Sequence, residues 1–106
     1  MRKALEALIQ FRDERNWKQF HNSKDLAIAI QIEASELVEE FLWKSSEEGD
    51  VQKIKEELAD VISYCLLFAN NYGFDIENIV LEKIEKNRKR YPVEKSKDSA
   101  KKYTDL

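Results

Sequence analysis

The chain is poor in the residues that break helices, cross-link loops or bind soft metals. Among 106 residues there are 2 glycines, 1 proline, 1 cysteine and 1 histidine. So few turn formers exclude an all-β sandwich or barrel, which needs many turns, and exclude low complexity. Cys65 has no second cysteine, so an intrachain disulfide and a cysteine-based zinc site are both excluded. His21 stands alone, which removes any multi-histidine metal site. No apolar run approaches the roughly 18 residues of a membrane span, and the N-terminus lacks the apolar core of a signal peptide. The net charge of -3 and pI of about 5.3 give no basic footprint for nucleic acid. These absences lead to the expectation of a cytoplasmic protein with neither a membrane nor a nucleic acid as partner.

What is present is helix-forming. The chain is 42% hydrophobic, too much for disorder, and 37% charged. Such a composition at this length predicts one all-α domain, a four-helix bundle. Helix 1 is expected over Arg2 to Arg15, with Leu5, Leu8, Ile9 and Arg12 at i, i+3, i+4, i+7 spacing. A connector carries Trp17, Phe20 and His21, and Asn22 or Ser23 caps the next helix. Helix 2 is expected over Lys24 to Trp43, with Leu26, Ile30, Ala34, Leu37 and Phe41 as its stripe. Asp50 caps helix 3, expected over Val51 to Tyr72, and Gly73 stands at the position after its end, where positive φ is needed. Helix 4 is expected over Ile76 to Arg90, stopped by Tyr91-Pro92. Residues 1–92 then form the helical domain and residues 93–106 a polar tail.

Acidic residues crowd the middle of the chain, from Glu33 to Asp60, and basic residues crowd Lys83 to Lys102. Within the acidic stretch, helix 2 carries Glu33-x-x-Glu36 and helix 3 carries Glu57-x-x-Asp60. Residues three apart share a helix face. At about 100° per residue, Glu33, Glu36 and Glu57 abut the apolar stripes rather than the solvent pole. An antiparallel pairing of helices 2 and 3 brings both pairs to one seam. Two like charges about 4 Å apart repel by about 4 kcal/mol at an effective dielectric near 20. Such groups must protonate or hold a cation, and an all-oxygen site favours Mg²⁺, Mn²⁺ or Ca²⁺ over zinc. Glutamates on a helix are also often plain solvated charges, the reading that suits Glu39, Glu47, Glu48 and Glu56. A di-iron site is disfavoured, because neither pair contains a histidine.

With these motifs the chain resembles the all-α, MazG-like nucleotide pyrophosphohydrolases, and within them the dCTP pyrophosphatase branch. The family pattern E-x-x-E then E-x-x-D is met by Glu33, Glu36, Glu57 and Asp60, with 20 residues between the pairs. Further matching segments are ERNWKQFH (14–21), FLWK (41–44), EELADVISY (56–64), KIEKNRKRYP (83–92) and KKYTDL (101–106). The resemblance implies hydrolysis of a (deoxy)nucleoside triphosphate to the monophosphate and pyrophosphate, with Mg²⁺, or Mn²⁺ in its place. It makes Glu33, Glu36, Glu57 and Asp60 the metal ligands and catalytic carboxylates. It makes Trp17 and Trp43 a stacking pair around the base, Tyr64 a sugar or phosphate contact, and His21 a neighbour of the base. Lys83 and Asn87 become phosphate or substrate contacts, with Arg88 a further candidate. The resemblance also implies a homodimer or homotetramer with the site at a subunit interface. Longer members carry an N-terminal extension ahead of the first helix, so closure over the nucleotide is expected to fall to the C-terminal tail.

Two rival readings stay open at this stage. One is the same chemistry on another nucleotide, such as dUTP, dATP or a damaged purine nucleotide. The other is a non-enzymatic helical oligomer that binds or scaffolds. Four intact carboxylates count against the second.

Overall fold

The computed structural model describes residues 1–105, apart from the side chain of Tyr103. All regular structure among these residues is helical, as composition requires. It comprises α1 (Arg2–Glu14), α2 (Ser23–Glu39), α3 (Val51–Asn71), α4 (Ile76–Arg90) and α5 (Val93–Ser96), with 3₁₀ turns at Lys18–Phe20 and Tyr103–Asp105. The chain divides into two compact units, one running from Met1 to Phe74 and one from Asp75 onward.

In the first unit α3 is the centre: α2 packs along it and α1 touches it. The pairing of α2 with α3 is antiparallel. The side-chain amide of Asn71, at the end of α3, donates to Ser23 Oγ at 3.3 Å and to the His21 carbonyl at 3.0 Å, at the start of α2. The core is small. Leu26, Leu66, Leu67 and Ala69 are buried, and Arg12 is buried with them. Apolar side chains on the outer faces, Ile28, Ile32, Leu58 and Ile62 among them, remain exposed in the single chain.

Local chemistry fixes the helix ends. Asn22 caps α2 by accepting from the Asp25 N–H at 2.9 Å, and Asp50 caps α3 by accepting from the Gln52 and Lys53 N–H groups. α3 closes in a Schellman arrangement: the Phe74 N–H donates to the Ala69 carbonyl and the Gly73 N–H to the Asn70 carbonyl. This requires Gly73 at φ +69°. In the second unit Asp75 caps α4 by accepting from the Asn78 N–H.

Two expectations need correction. α2 ends at Glu39, not Trp43. Beyond it the chain tightens into i→i−3 bonds from the Glu40, Phe41 and Leu42 N–H groups. This turn brings the Phe41 ring against the backbone of Gly49. A Cβ at Gly49 would meet Phe41 Cε1 at 2.9 Å and Ile54 Cδ1 at 2.6 Å. Trp43 itself adopts φ +62°, which is incompatible with an α-helix. The polar tail, second, contains the short α5, because Pro92 presents its carbonyl to the Lys95 and Ser96 N–H groups.

Gly73→Ala tests the Schellman closure. Nothing lies within 4 Å of the Cβ that alanine would add, so only the backbone conformation opposes it. The expected loss is about 1–2 kcal/mol, read as a fall in thermal midpoint of several degrees. An unchanged midpoint would contradict the assignment.

Candidate active site

The antiparallel pairing decides where the acidic residues go. Glu33 and Glu36 lie late in α2, Glu57 and Asp60 early in α3, so the two pairs meet across the seam. Carboxylate oxygens of Glu33, Glu36 and Glu57 lie within 4.8 Å of one another. Glu33 and Glu57 each turn one oxygen, Oε2, into the seam, where it is covered and has no hydrogen-bond partner among the described residues. Burial, a hydrogen bond with Glu36, and the charges of Glu36, Asp60 and Glu57 push the Glu33 carboxyl up to about 7. Glu57 is raised for the same reasons, burial first, then Glu36, Asp60 and Glu40. Asp60 is thus an electrostatic neighbour of the cluster, though exposed.

Covered carboxylate oxygens without a donor are the condition that a hard cation relieves. The donor set is all oxygen, as Mg²⁺ and Mn²⁺ prefer. Glu33, Glu36 and Glu57 therefore fit a divalent cation, with Asp60 alongside.

Asp60 also opens onto a cavity of about 270 Å³. Its walls include Leu8, Phe11 and Arg12 of α1, Trp17 and His21 of the connector, and Ser63, Tyr64 and Leu67 of α3. The connector is held in place from both sides. The Trp17 N–H donates to the Arg12 carbonyl at 3.0 Å, and the His21 carbonyl accepts from Asn71. Asn16 enters it with φ +53°, a conformation asparagine tolerates better than most residues. The Trp17 ring is met edge-on by Phe11 at 5.7 Å, and the Arg15 guanidinium lies 3.7 Å over the outer face of that phenylalanine. His21 faces Tyr64 edge-on at 6.4 Å, and its Nδ1 is covered and unpartnered among the described residues. Burial, and then the Arg12 charge, depress the imidazole below its ordinary value, so it is neutral at pH 7. Burial and then the charges of Glu33, Asp60 and Glu36 raise the Tyr64 phenol, which keeps its proton.

Of the residues singled out from sequence, the seam gathers Glu33, Glu36 and Glu57, and the cavity gathers Trp17, His21, Tyr64 and Asp60. Trp43 is not among the cavity walls; its side chain stands 94% exposed on the turn after α2. Lys83, Asn87 and Arg88 belong to α4 in the second unit. There Lys83 lines a shallow groove with Ile79, Glu82, Glu85, Lys86 and Lys89. Arg88 pairs with Glu85 at 3.4 Å, and Asn87 is half-buried. In the motif KKYTDL, Leu106 and the Tyr103 side chain lie outside what the structure describes. Sequence reasoning missed Phe11, Ser63 and, as a site residue, Arg12. A charged side chain on the apolar stripe of α1 was the available signal for the last.

A sequence model of the MazG-like family matches residues 28–106. The chain is 41% identical to dCTP pyrophosphatase 1 of Rattus norvegicus over 105 residues and 37% identical to that of Homo sapiens; each alignment covers 92% of this chain. The chain spans 62% of the length of those curated relatives. It is also similar to the crystal structure of a pyrophosphatase from Archaeoglobus fulgidus, at 37% identity and a TM-score of 0.81. That likeness covers 87% of this chain and 92% of the other.

The cluster predicts a pH dependence of stability. A carboxyl raised in the folded state binds protons there that the unfolded chain has released, so stability falls as pH rises from about 4.5 to about 7. In chelator the thermal midpoint should drop across that window. Glu33→Gln should flatten the drop, and millimolar Mg²⁺ should raise the midpoint most above pH 7. A midpoint indifferent to pH and to Mg²⁺ would show that the carboxylates do not converge in solution.

Proposed function

We propose that this chain, which belongs to the MazG-like family, hydrolyses (deoxy)nucleoside triphosphates to the monophosphate and pyrophosphate. The proposed first substrate is dCTP or a modified dCTP. The observation that carries this is a cluster of cation-fitting carboxylates, Glu33, Glu36 and Glu57, whose electrostatic neighbour Asp60 lines a cavity edged by Trp17. The relatives named dCTP pyrophosphatase support the choice of nucleotide, and the Archaeoglobus pyrophosphatase supports the reaction class.

Glu33, Glu36, Glu57 and Asp60 would hold Mg²⁺, which, when bound, offsets the charge of the triphosphate and acidifies water beside it. The reaction adds water at the α-phosphorus and breaks the α–β anhydride. A carboxylate of this set is the natural acceptor for the water's proton, since the only histidine, His21, lies on the cavity wall beside Tyr64. Trp17 offers the base a ring face, and Trp43, exposed outside this cavity, is proposed to supply a second from a further copy of the chain. Stacking of this kind contributes about 1–3 kcal/mol per base. Tyr64, one helical turn beyond Asp60 on the same cavity, is proposed to face the sugar, where a ring against C2′ would disfavour a ribose hydroxyl. Lys83, Asn87 and Arg88 are proposed to meet the phosphates. The exposed apolar faces of α2 and α3 are proposed to be covered by further copies of this chain, as a dimer or tetramer, and the protein is proposed to act in the cytoplasm, on the nucleotide pool.

The test is pyrophosphate release from each common nucleotide and from 5-methyl-dCTP, with and without Mg²⁺. Mg²⁺-dependent release favouring deoxycytidine nucleotides is expected. A folded protein that binds Mg²⁺ and releases pyrophosphate from none of them would overturn the reading. Glu57→Ala should abolish turnover without lowering the thermal midpoint, because it removes repulsion. Trp43→Ala should raise KM by about tenfold or more with a smaller effect on kcat, the pattern of lost ground-state binding.

A further inference from the structure

Arg12 puts a charge where the periodicity of α1 calls for an apolar side chain. It stands one turn after Leu8, and it is 5% exposed, as deeply covered as the leucines of the core. A guanidinium in such a place must be paired or used, because an uncompensated buried charge is strongly unfavourable. Among the described residues one carboxylate is paired with it: Nε donates to Asp13 Oδ1 at 2.9 Å. Guanidinium has five N–H donors in a rigid plane. The bond to Asp13 uses one and orients that plane. It leaves the fork formed by the two terminal nitrogens.

Arg12 lines the 270 Å³ cavity together with Trp17, His21 and Tyr64. Its charge also bears on His21, which lines the same cavity. Four rings, those of Phe11, Trp17, His21 and Tyr64, share that cavity with Arg12, and Asp60 is the one carboxylate on its wall. A planar double donor beside a stacking ring is suited to a flat ligand with two neighbouring acceptors on its edge.

We infer that Arg12 is a specificity-determining residue that reads the base: its terminal N–H pair donates to N3 and O2 of a cytosine stacked on Trp17. This rests on the nucleotide-hydrolysing reading above and deepens it. Cytosine offers two adjacent acceptors, N3 and O2. Thymine and uracil place an N3–H donor between their carbonyls, which opposes the fork. Adenine pairs its N1 acceptor with an amino donor. Guanine offers a matching pair at O6 and N7, but on a larger ring system.

The experiment measures kcat and KM of the full chain, with saturating Mg²⁺, for dCTP, 3-deaza-dCTP, dTTP and dGTP. In 3-deaza-dCTP a C–H replaces the N3 acceptor. The wild-type chain should prefer dCTP and lose about ten- to a hundredfold in kcat/KM on 3-deaza-dCTP, mostly through KM. Arg12→Met should lose a similar factor on dCTP and no longer distinguish it from 3-deaza-dCTP. Arg12→Lys, a point charge without the fork, should recover part of the preference. Equal use of dCTP and 3-deaza-dCTP by the wild-type chain would overturn the inference, as would a preference for dGTP. So would an equal loss on every nucleotide in a folded Arg12→Met protein, which would mark a structural or phosphate-binding role. If Arg12→Met does not fold, Arg12→Lys takes its place, and a Lys variant that keeps the full preference for dCTP over 3-deaza-dCTP would overturn the inference. Hydrolysis without base discrimination sinks only this inference, whereas no release from any nucleotide sinks the parent reading with it.

Discussion

Three carboxylates that repel one another are held together by the seam between α2 and α3, and the rest of the site is arranged around that constraint. Left to themselves, Glu33, Glu36 and Glu57 would separate into water. They stay because Leu26 of α2 and Leu66, Leu67 and Ala69 of α3 bury apolar surface elsewhere in the unit. The register is pinned at the far end by Asn71, which ties α3 to Ser23 and His21. Apolar burial and one amide thus hold a concentration of negative charge that has no favourable use in an unliganded protein. A polycation would neutralise such a cluster loosely. A small divalent ion suits the covered Oε2 atoms of Glu33 and Glu57, which have no donor among the described residues.

The same tie at Asn71 shapes the cavity. By accepting from the Asn71 amide, the His21 carbonyl fixes the end of the connector that carries Trp17. The other end is fixed by the hydrogen bond from the Trp17 N–H to the Arg12 carbonyl. The aromatic wall is therefore built on α1 and α3 rather than on a free loop. It is set before any ligand arrives, which lowers the ordering entropy that binding must overcome. The basic residues of α4 belong to the second unit, and the carboxylate cluster to the first.

Much of this was legible in the residues. Helical periodicity alone put both acidic pairs beside apolar stripes. The caps at Asn22 and Asp50, and the glycine after α3, are local chemistry and stand where the sequence puts them. What was illegible depends on contacts between distant segments. At the end of α2 the Phe41 ring and Ile54 both crowd Gly49, and a tryptophan takes left-handed backbone, which no local signal announces. Arg12 reads as a break in a stripe; only the fold shows that it is buried and on a cavity wall. Tyr64 lies far in sequence from Trp17 and His21 and shares that cavity with them through the packing of the connector on α3. The division into two units falls just after Gly73 without any longer linker, since Phe74 closes one helix cap and Asp75 opens the next.

The unequal exposure of the two tryptophans has a spectroscopic consequence. Trp17 is 43% exposed, with Phe11 at its edge, while Trp43 stands almost wholly in solvent. No other residue emits in the same band with comparable strength. The red side of the emission therefore belongs chiefly to Trp43, and the blue side to Trp17. A soluble quencher removes the first before the second. An event at the cavity and an event at the turn after α2 are thus separable by colour in the unlabelled protein.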